Sequence, residues 1–74
     1  MPKLYSSLYV LKFLYAHGFL LVSQKGSHIK LRKPGEPVLT VIVPADRKEI
    51  PQGTLRSILR QSQLSLSDLE NEKI

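Results

Sequence analysis

Gln24-Lys25-Gly26-Ser27-His28-Ile29-Lys30-Leu31-Arg32 is the stretch on which the fold turns. Two apolar-rich runs, Phe19-Leu20-Leu21-Val22 and Ile29-Lys30-Leu31, flank Gly26-Ser27, and a Gly-Ser pair between such runs predicts a tight β-hairpin with a primed turn. His28 then opens the second strand. Strand side chains alternate between faces, so His28, Lys30 and Arg32 point one way and Ile29 and Leu31 the other. One face is a floor for a core and the other is cationic. A two-residue loop sets Lys25 directly opposite His28, where an ammonium beside the ring favours the neutral imidazole. That state suits a base better than a metal centre, for which the sequence offers no partner ligands.

Toward the N-terminus, Ser6 or Ser7 can cap a helix from about Leu8 to Ala16, with Gly18 as its left-handed stop. Leu8, Leu11, Leu14 and Tyr15 follow helical spacing and are expected to form its buried stripe. Tyr5, Tyr9 and Phe13 fall at four-residue steps on another face, read as packing surface rather than a platform for stacked bases. His17, in the last turn, complements the negative end of the helix dipole when charged. Phe19 to Lys25 is the first strand, and the hairpin register puts Leu20 and Val22 on the side of Ile29 and Leu31.

Toward the C-terminus, Pro34-Gly35 suits the centre of a type II turn. Pro37 opens a third strand, Val38-Leu39-Thr40-Val41-Ile42-Val43, apolar on both faces and ended by Pro44. Its register is undetermined, because a one-residue change in loop length exchanges its faces. Ala45 to Ile50 is a charged connection. Pro51 then begins a helix running through Gln61, with Leu55, Ile58 and Leu59 as its core stripe and Arg56 and Arg60 aligned along another side. Gly53, costly so early in a helix, suggests close approach of another backbone. Ser65 or Ser67 can cap a final turn containing Leu66 and Leu69, and Asn71 to Ile74 is expected to fray. The order helix, three strands, helix, with short links between strands, predicts an α+β fold: an antiparallel meander with both helices on one face. Residues 1–74 read as one domain, with 65–74 a short C-terminal extension.

Composition narrows the function. A chain of 74 residues lies near the size where one core supplies only roughly 3–5 kcal/mol. It has no cysteine, which excludes a disulfide framework and cysteine-rich zinc sites. Lys and Arg outnumber Asp and Glu by 11 to 6, so an acidic partner, most commonly nucleic acid, is expected. The longest apolar-rich stretch, Leu8 to Leu14, contains Lys12 and is too short to span a bilayer. Without a signal-peptide pattern, a cytoplasmic location is expected. Two separated histidines, and no glycine-rich phosphate loop, imply neither a metal site nor a small-molecule cofactor.

Two jobs suit a cationic open face. As a non-catalytic RNA-binding module, the domain would use Lys25, Lys30 and Arg32 on phosphates while His28 merely adds polarity. As a nuclease, it would use His28 to take a proton from a ribose 2′-hydroxyl, with the cations stabilising a phosphorane-like transition state. Imidazole, with an unperturbed pKa of ~6.5, exchanges protons near neutrality. Spacing alone leaves His28 equally readable as an ordinary strand residue. A third job, as a catalytically silent protein whose basic surface binds an acidic partner protein, also fits.

Four segments, in order, resemble the HicA toxins of bacterial HicA–HicB toxin–antitoxin modules. They are His17-Gly18-Phe19, Lys25-Gly26-Ser27-His28, Val43-Pro44, and Gly53-Thr54-Leu55-Arg56-Ser57-Ile58-Leu59-Arg60-Gln61. The resemblance covers about Leu8 to Leu66. It implies a fold like that of double-stranded-RNA-binding domains and a metal-independent mRNA interferase of stress response, with His28 catalytic and Gly26 and Ser27 shaping the turn. It further implies neutralisation by a HicB-type antitoxin covering the site. The RNA-contacting set expected on this basis is Lys25, Gly26, Ser27, Lys30, Arg32, Arg56 and Arg60. At Asp46 the chain departs from relatives that carry histidine in a Val-Pro-x-His arrangement.

Overall fold

The computed structural model describes residues 3–72. Its elements are α1 (Ser7–Ala16), β1 (Leu20–Lys25), β2 (His28–Lys33), β3 (Leu39–Pro44), α2 (Gln52–Ser62) and α3 (Leu66–Glu70). The strands form one antiparallel sheet in the order β1-β2-β3, and α1 and α2 pack on it. This is the expected α+β, double-stranded-RNA-binding-domain-like architecture.

The start of α1 is set by Ser6, whose hydroxyl accepts from the Tyr9 amide at 3.1 Å. Its end is a Schellman motif: the Gly18 N–H donates to the Tyr15 carbonyl and the Phe19 N–H to the Leu14 carbonyl. Gly18 sits at φ 92°, as a left-handed stop requires. The buried stripe of α1 differs from the expected one. Val10, Phe13 and Leu14 are buried together with Tyr5, whereas Leu8 and Tyr15 are exposed and Leu11 is half-buried. The helix is apolar nearly all round, so its periodicity does not choose a face; packing against the rest of the fold does, with Phe13 its largest fully buried side chain.

The hairpin register is the expected one at the turn, with Lys25 opposite His28, Gln24 opposite Ile29 and Ser23 opposite Lys30. A bulge between Leu21 and Ser23 then shifts the pairing, so that Leu21 rather than Val22 faces Leu31. Leu20, Leu21 and Val22 are all exposed, and the expectation that Leu20 and Val22 join Ile29 and Leu31 fails. The helices lie over β2 and β3 and leave β1 uncovered. Ile29 and Leu31 of β2 and Val41 and Val43 of β3 form the floor, closed by Ile50, Leu55 and Ile58.

Three local expectations also change. Gly35, at φ 149°, is too extended for a type II turn, and residues 34–38 form a longer connection before β3. Pro51 is the N-cap of α2, and Leu59 is only half-buried in its core stripe. A Cβ on Gly53 would meet open space, so no neighbouring backbone demands glycine there. The C-terminal extension is docked: a Ser65–Asp68 capping box starts α3 and Leu69 is fully buried. The Tyr9 hydroxyl lies 3.0 Å from the Leu69 carbonyl and 3.1 Å from that of Glu72, so Asn71 and Glu72 are tied rather than frayed. Lys73 and Ile74 lie outside the described residues.

Candidate active site on the open sheet face

The turn that presents His28 is built by two residues of unequal duty. Gly26 takes φ 56° and Ser27 is not left-handed, the pattern of a type II′ hairpin with glycine first. No atom lies within 4 Å of a Cβ built on Gly26, so its backbone conformation alone calls for glycine. The turn is also tethered from outside. The Ala45 amide donates to the Ser27 carbonyl at 2.7 Å, bringing the end of β3 against the hairpin.

A second tether holds that end of β3. Ser7, buried in the first turn of α1, donates from Oγ to the Pro44 carbonyl at 2.6 Å and accepts from the Arg47 amide at 3.0 Å. The Ser7 amide in turn donates to the Arg47 carbonyl at 2.9 Å. Asp46, between these anchors, is held at φ 56°, a left-handed conformation that aspartate tolerates better than most residues. It borders a groove with Ser6, Leu8, Leu11 and Ile29, on the helix side of the sheet.

Across the open face the strand register produces three rows. Lys25, His28 and Pro44 form the first, Ser23, Lys30 and Ile42 the second, and Leu20, Arg32 and Thr40 the third. Side chains directly opposite one another in such rows lie about 4.5–5.5 Å apart at Cβ and diagonal neighbours about 7–8 Å. Ser23, Lys25, His28, Lys30 and Ile42 line a shallow depression of about 220 Å³. His28 and Lys25 are exposed, while Lys30 and Ser23 are half-buried. An imidazole, two ammonium groups and a hydroxyl thus border one hollow open to solvent. That set can exchange a proton and hold an anion.

The other expected RNA-contacting residues are not all gathered there. Gly26 and Ser27 are exposed at the turn beside His28, and Arg32 is exposed one row beyond the hollow. Arg56 lines a larger groove of about 360 Å³ between α2 and α3, with Tyr5, Leu59 and Glu70. Arg60 donates from Nη2 to Ser57 Oγ at 3.5 Å on its own helix. Neither arginine borders the His28 hollow. The larger groove contains no histidine and no nucleophile placed beside a base, so its size carries no chemistry.

His17 has a structural place. As the C-cap of α1, it packs its ring at a tilt of 60° against Phe13 with centroids 4.8 Å apart, and its Nε2 lies 3.4 Å from Glu72 Oε2. Among the described residues no group of three or more His, Asp or Glu side chains could hold a metal ion, and no helix is long and apolar enough to cross a membrane. Two residues of the hollow were not singled out in the sequence, and Ser7 was read there only as a possible helix cap. Ser23 was reachable, since counting back from the Lys25–His28 pair puts it opposite Lys30. Ile42 was not, because the register of β3 was undetermined, and nothing local marks Ser7 as a tether.

Residues 9–64 match the family model of the HicA toxin of bacterial toxin–antitoxin systems. A search of the curated proteins finds no match. The matched span runs from within α1 to just past α2 and contains the whole hairpin and the hollow.

Proposed function

The chain belongs to the HicA toxin family and is the toxin of a toxin–antitoxin system, and from that premise we propose that it is a metal-independent mRNA interferase with His28 as its acid/base. The observation that carries this reading is the exposed His28 ring in a hollow shared with Lys25, Lys30 and Ser23. His28 takes the proton from a ribose 2′-hydroxyl, and the freed 2′-oxygen attacks the adjacent phosphorus. The bond to the 5′-oxygen breaks as that oxygen takes a proton from water, leaving a 2′,3′-cyclic phosphate on one fragment and a 5′-hydroxyl on the other, and the His28 imidazolium returns its proton to solvent. Negative charge grows on the phosphoryl oxygens as the phosphorane-like state forms, and Lys25, across the ladder from His28, and Lys30, two residues along β2, border the same hollow to meet it.

Gly26 and Ser27 hold the turn, and Arg32 extends the cationic line along β2 for the flanking phosphates. Arg56 and Arg60 contribute long-range attraction at most, being away from the hollow. A HicB-type antitoxin neutralises the toxin by covering the open face, an acidic surface complementing its excess of cations. The working compartment is the cytoplasm, where mRNA is found.

The test is digestion of RNA by the purified chain in the presence of chelator, with parent and His28→Ala side by side. The parent is expected to produce fragments ending in 2′,3′-cyclic phosphate and to arrest growth when expressed alone. His28→Ala is expected to do neither while keeping its fold and most of its RNA affinity, because every cation remains. Cleavage by His28→Ala at the parental rate would end the proposal.

A further inference from the structure

The open face is not uniformly polar. Along β2 run His28, Lys30 and Arg32, but on β3, in the same rows, stand Pro44, Ile42 and Thr40. Ile42 is 38 % exposed although it occupies the central row of the sheet and borders the hollow that His28 and Lys30 line. Its backbone is also clamped. The Ile42 amide, which points off the outer edge of β3, donates to Gln61 Oε1 of α2 at 3.2 Å. A fixed aliphatic side chain therefore stands one strand away from a line of phosphate-binding groups.

Successive side chains on one face of a strand are about 6.6 Å apart, a step close to that between neighbouring phosphates of an extended polynucleotide. Strands lie about 4.8 Å apart, so a chain whose phosphates follow β2 carries its bases over a neighbouring strand. On the β1 side the neighbours of His28 and Lys30 are Lys25 and Ser23, which suit phosphate and sugar oxygens. On the β3 side they are Pro44 and Ile42, which suit the flat face of a base. Resting on the nuclease reading above, we propose that Ile42, with Pro44, is the shelf on which the base beside the scissile phosphate lies, so that the site takes an unpaired nucleotide.

The shelf reads a base by its apolar face rather than by its hydrogen-bonding edge. All four bases are therefore accepted, with purines ahead of pyrimidines because they cover more apolar area. A paired base cannot lie there, since its face is already stacked within the duplex. The proposal makes Ile42 a positioning residue for the ribose presented to His28.

Binding can be measured apart from cleavage with a fluorescently labelled oligonucleotide that is 2′-deoxy at every position, in chelator, by anisotropy. A second oligonucleotide has the same backbone but is abasic throughout. For the intact strand, Ile42→Ser is expected to weaken binding about fivefold, and Ile42→Tyr, which offers an aromatic face, to strengthen it by a similar factor. On the abasic strand the parent and both variants are expected to bind alike, and a blunt duplex of the same sequence to bind the parent no better than the abasic strand. Equal affinity of parent and Ile42→Ser for the intact strand, or an Ile42→Ser defect that persists undiminished on the abasic strand, overturns the shelf. Circular dichroism of Ile42→Ser and Ile42→Tyr separates misfolding from a lost contact, and Ile42→Val is expected to retain parental affinity. Base-dependent binding with no cleavage of an all-ribose strand would support the shelf while sinking the nuclease reading. Cleavage by the parent with no base dependence would do the reverse.

Discussion

The two outer strands of this sheet meet their surroundings in opposite ways. At β3 the edge is guarded: α2 lies against it, Gln61 occupies the Ile42 amide, and Val41 and Val43 are fully buried beneath the helices. At β1 nothing comparable happens. Leu20, Leu21 and Val22 stand in solvent, a bulge interrupts the ladder, and among the described residues no strand or helix covers the outer edge. Exposed sheet edges invite pairing, and a bulge is one device that blunts them. Between them lies β2, which is laddered on both sides but packed from the β3 side only. His28 is placed by Pro44 and by the Ser27–Ala45 and Ser7 tethers on the β3 side, whereas β1 contributes Lys25 and Ser23 to the hollow but almost nothing to the core.

The sharpest break in that comparison is expected in the packed half. Phe13→Ala should cost about 3–5 kcal/mol, comparable with everything a chain of this size holds, and urea denaturation should find the variant largely unfolded. Ser7→Ala should come next, at about 1–3 kcal/mol, because it removes the two hydrogen bonds by which the buried Ser7 hydroxyl ties the half-buried Pro44 carbonyl and the Arg47 amide to α1. Its amide exchange is expected to quicken at Arg47 and Ala45, and RNA cleavage to fall with it as the turn loosens. Parental exchange rates there would show that β3 does not need this tether.

Smaller changes sharpen the contrast between the edges. Gln61→Ala should cost about 0.5–1.5 kcal/mol and raise hydrogen exchange chiefly at the Ile42 amide. Leu21→Ser, on the bare edge, should stay within about 0.5 kcal/mol of the parent in the same denaturation experiment, and a loss several times larger would mean that β1 is packed after all. The smallest effect lies in α3. Bonds from the Ser65 amide and then the Ser65 hydroxyl hold the Asp68 carboxyl below its ordinary pKa of 3.8. A carboxyl whose pKa is lower folded than unfolded adds stability above the unfolded value and loses it as pH falls through the folded one. Asp68→Asn should therefore lower the thermal midpoint slightly at neutral pH, and the gap between variant and parent should close on acidification below that range.

Much of the site could be read in the chain because its signals are local. Gly26-Ser27 between apolar runs fixes a two-residue turn, and the turn fixes Lys25 opposite His28 by geometry alone. The fold order, the Gly18 stop and the separation of His28, Lys30 and Arg32 from Ile29 and Leu31 follow from the same short-range rules. Resemblance supplied the toxin family, which the matched residues 9–64 establish. Of the expected stripe of α1 only Leu14 is fully buried, because Leu8 and Leu11 are as apolar as Val10 and Phe13, so pattern could not rank the faces.

What the sequence by itself determined is the hairpin and its imidazole, since a primed turn and a period of two leave few alternatives. Tertiary structure alone decided which strand is covered, which apolar residue faces the hollow, and that Ser7 and Gln61 brace β3. Those outcomes depend on how far the helices reach across the sheet and on a bulge in one strand. Both arise from packing between segments distant in the chain, where a single residue's shift exchanges buried and open faces.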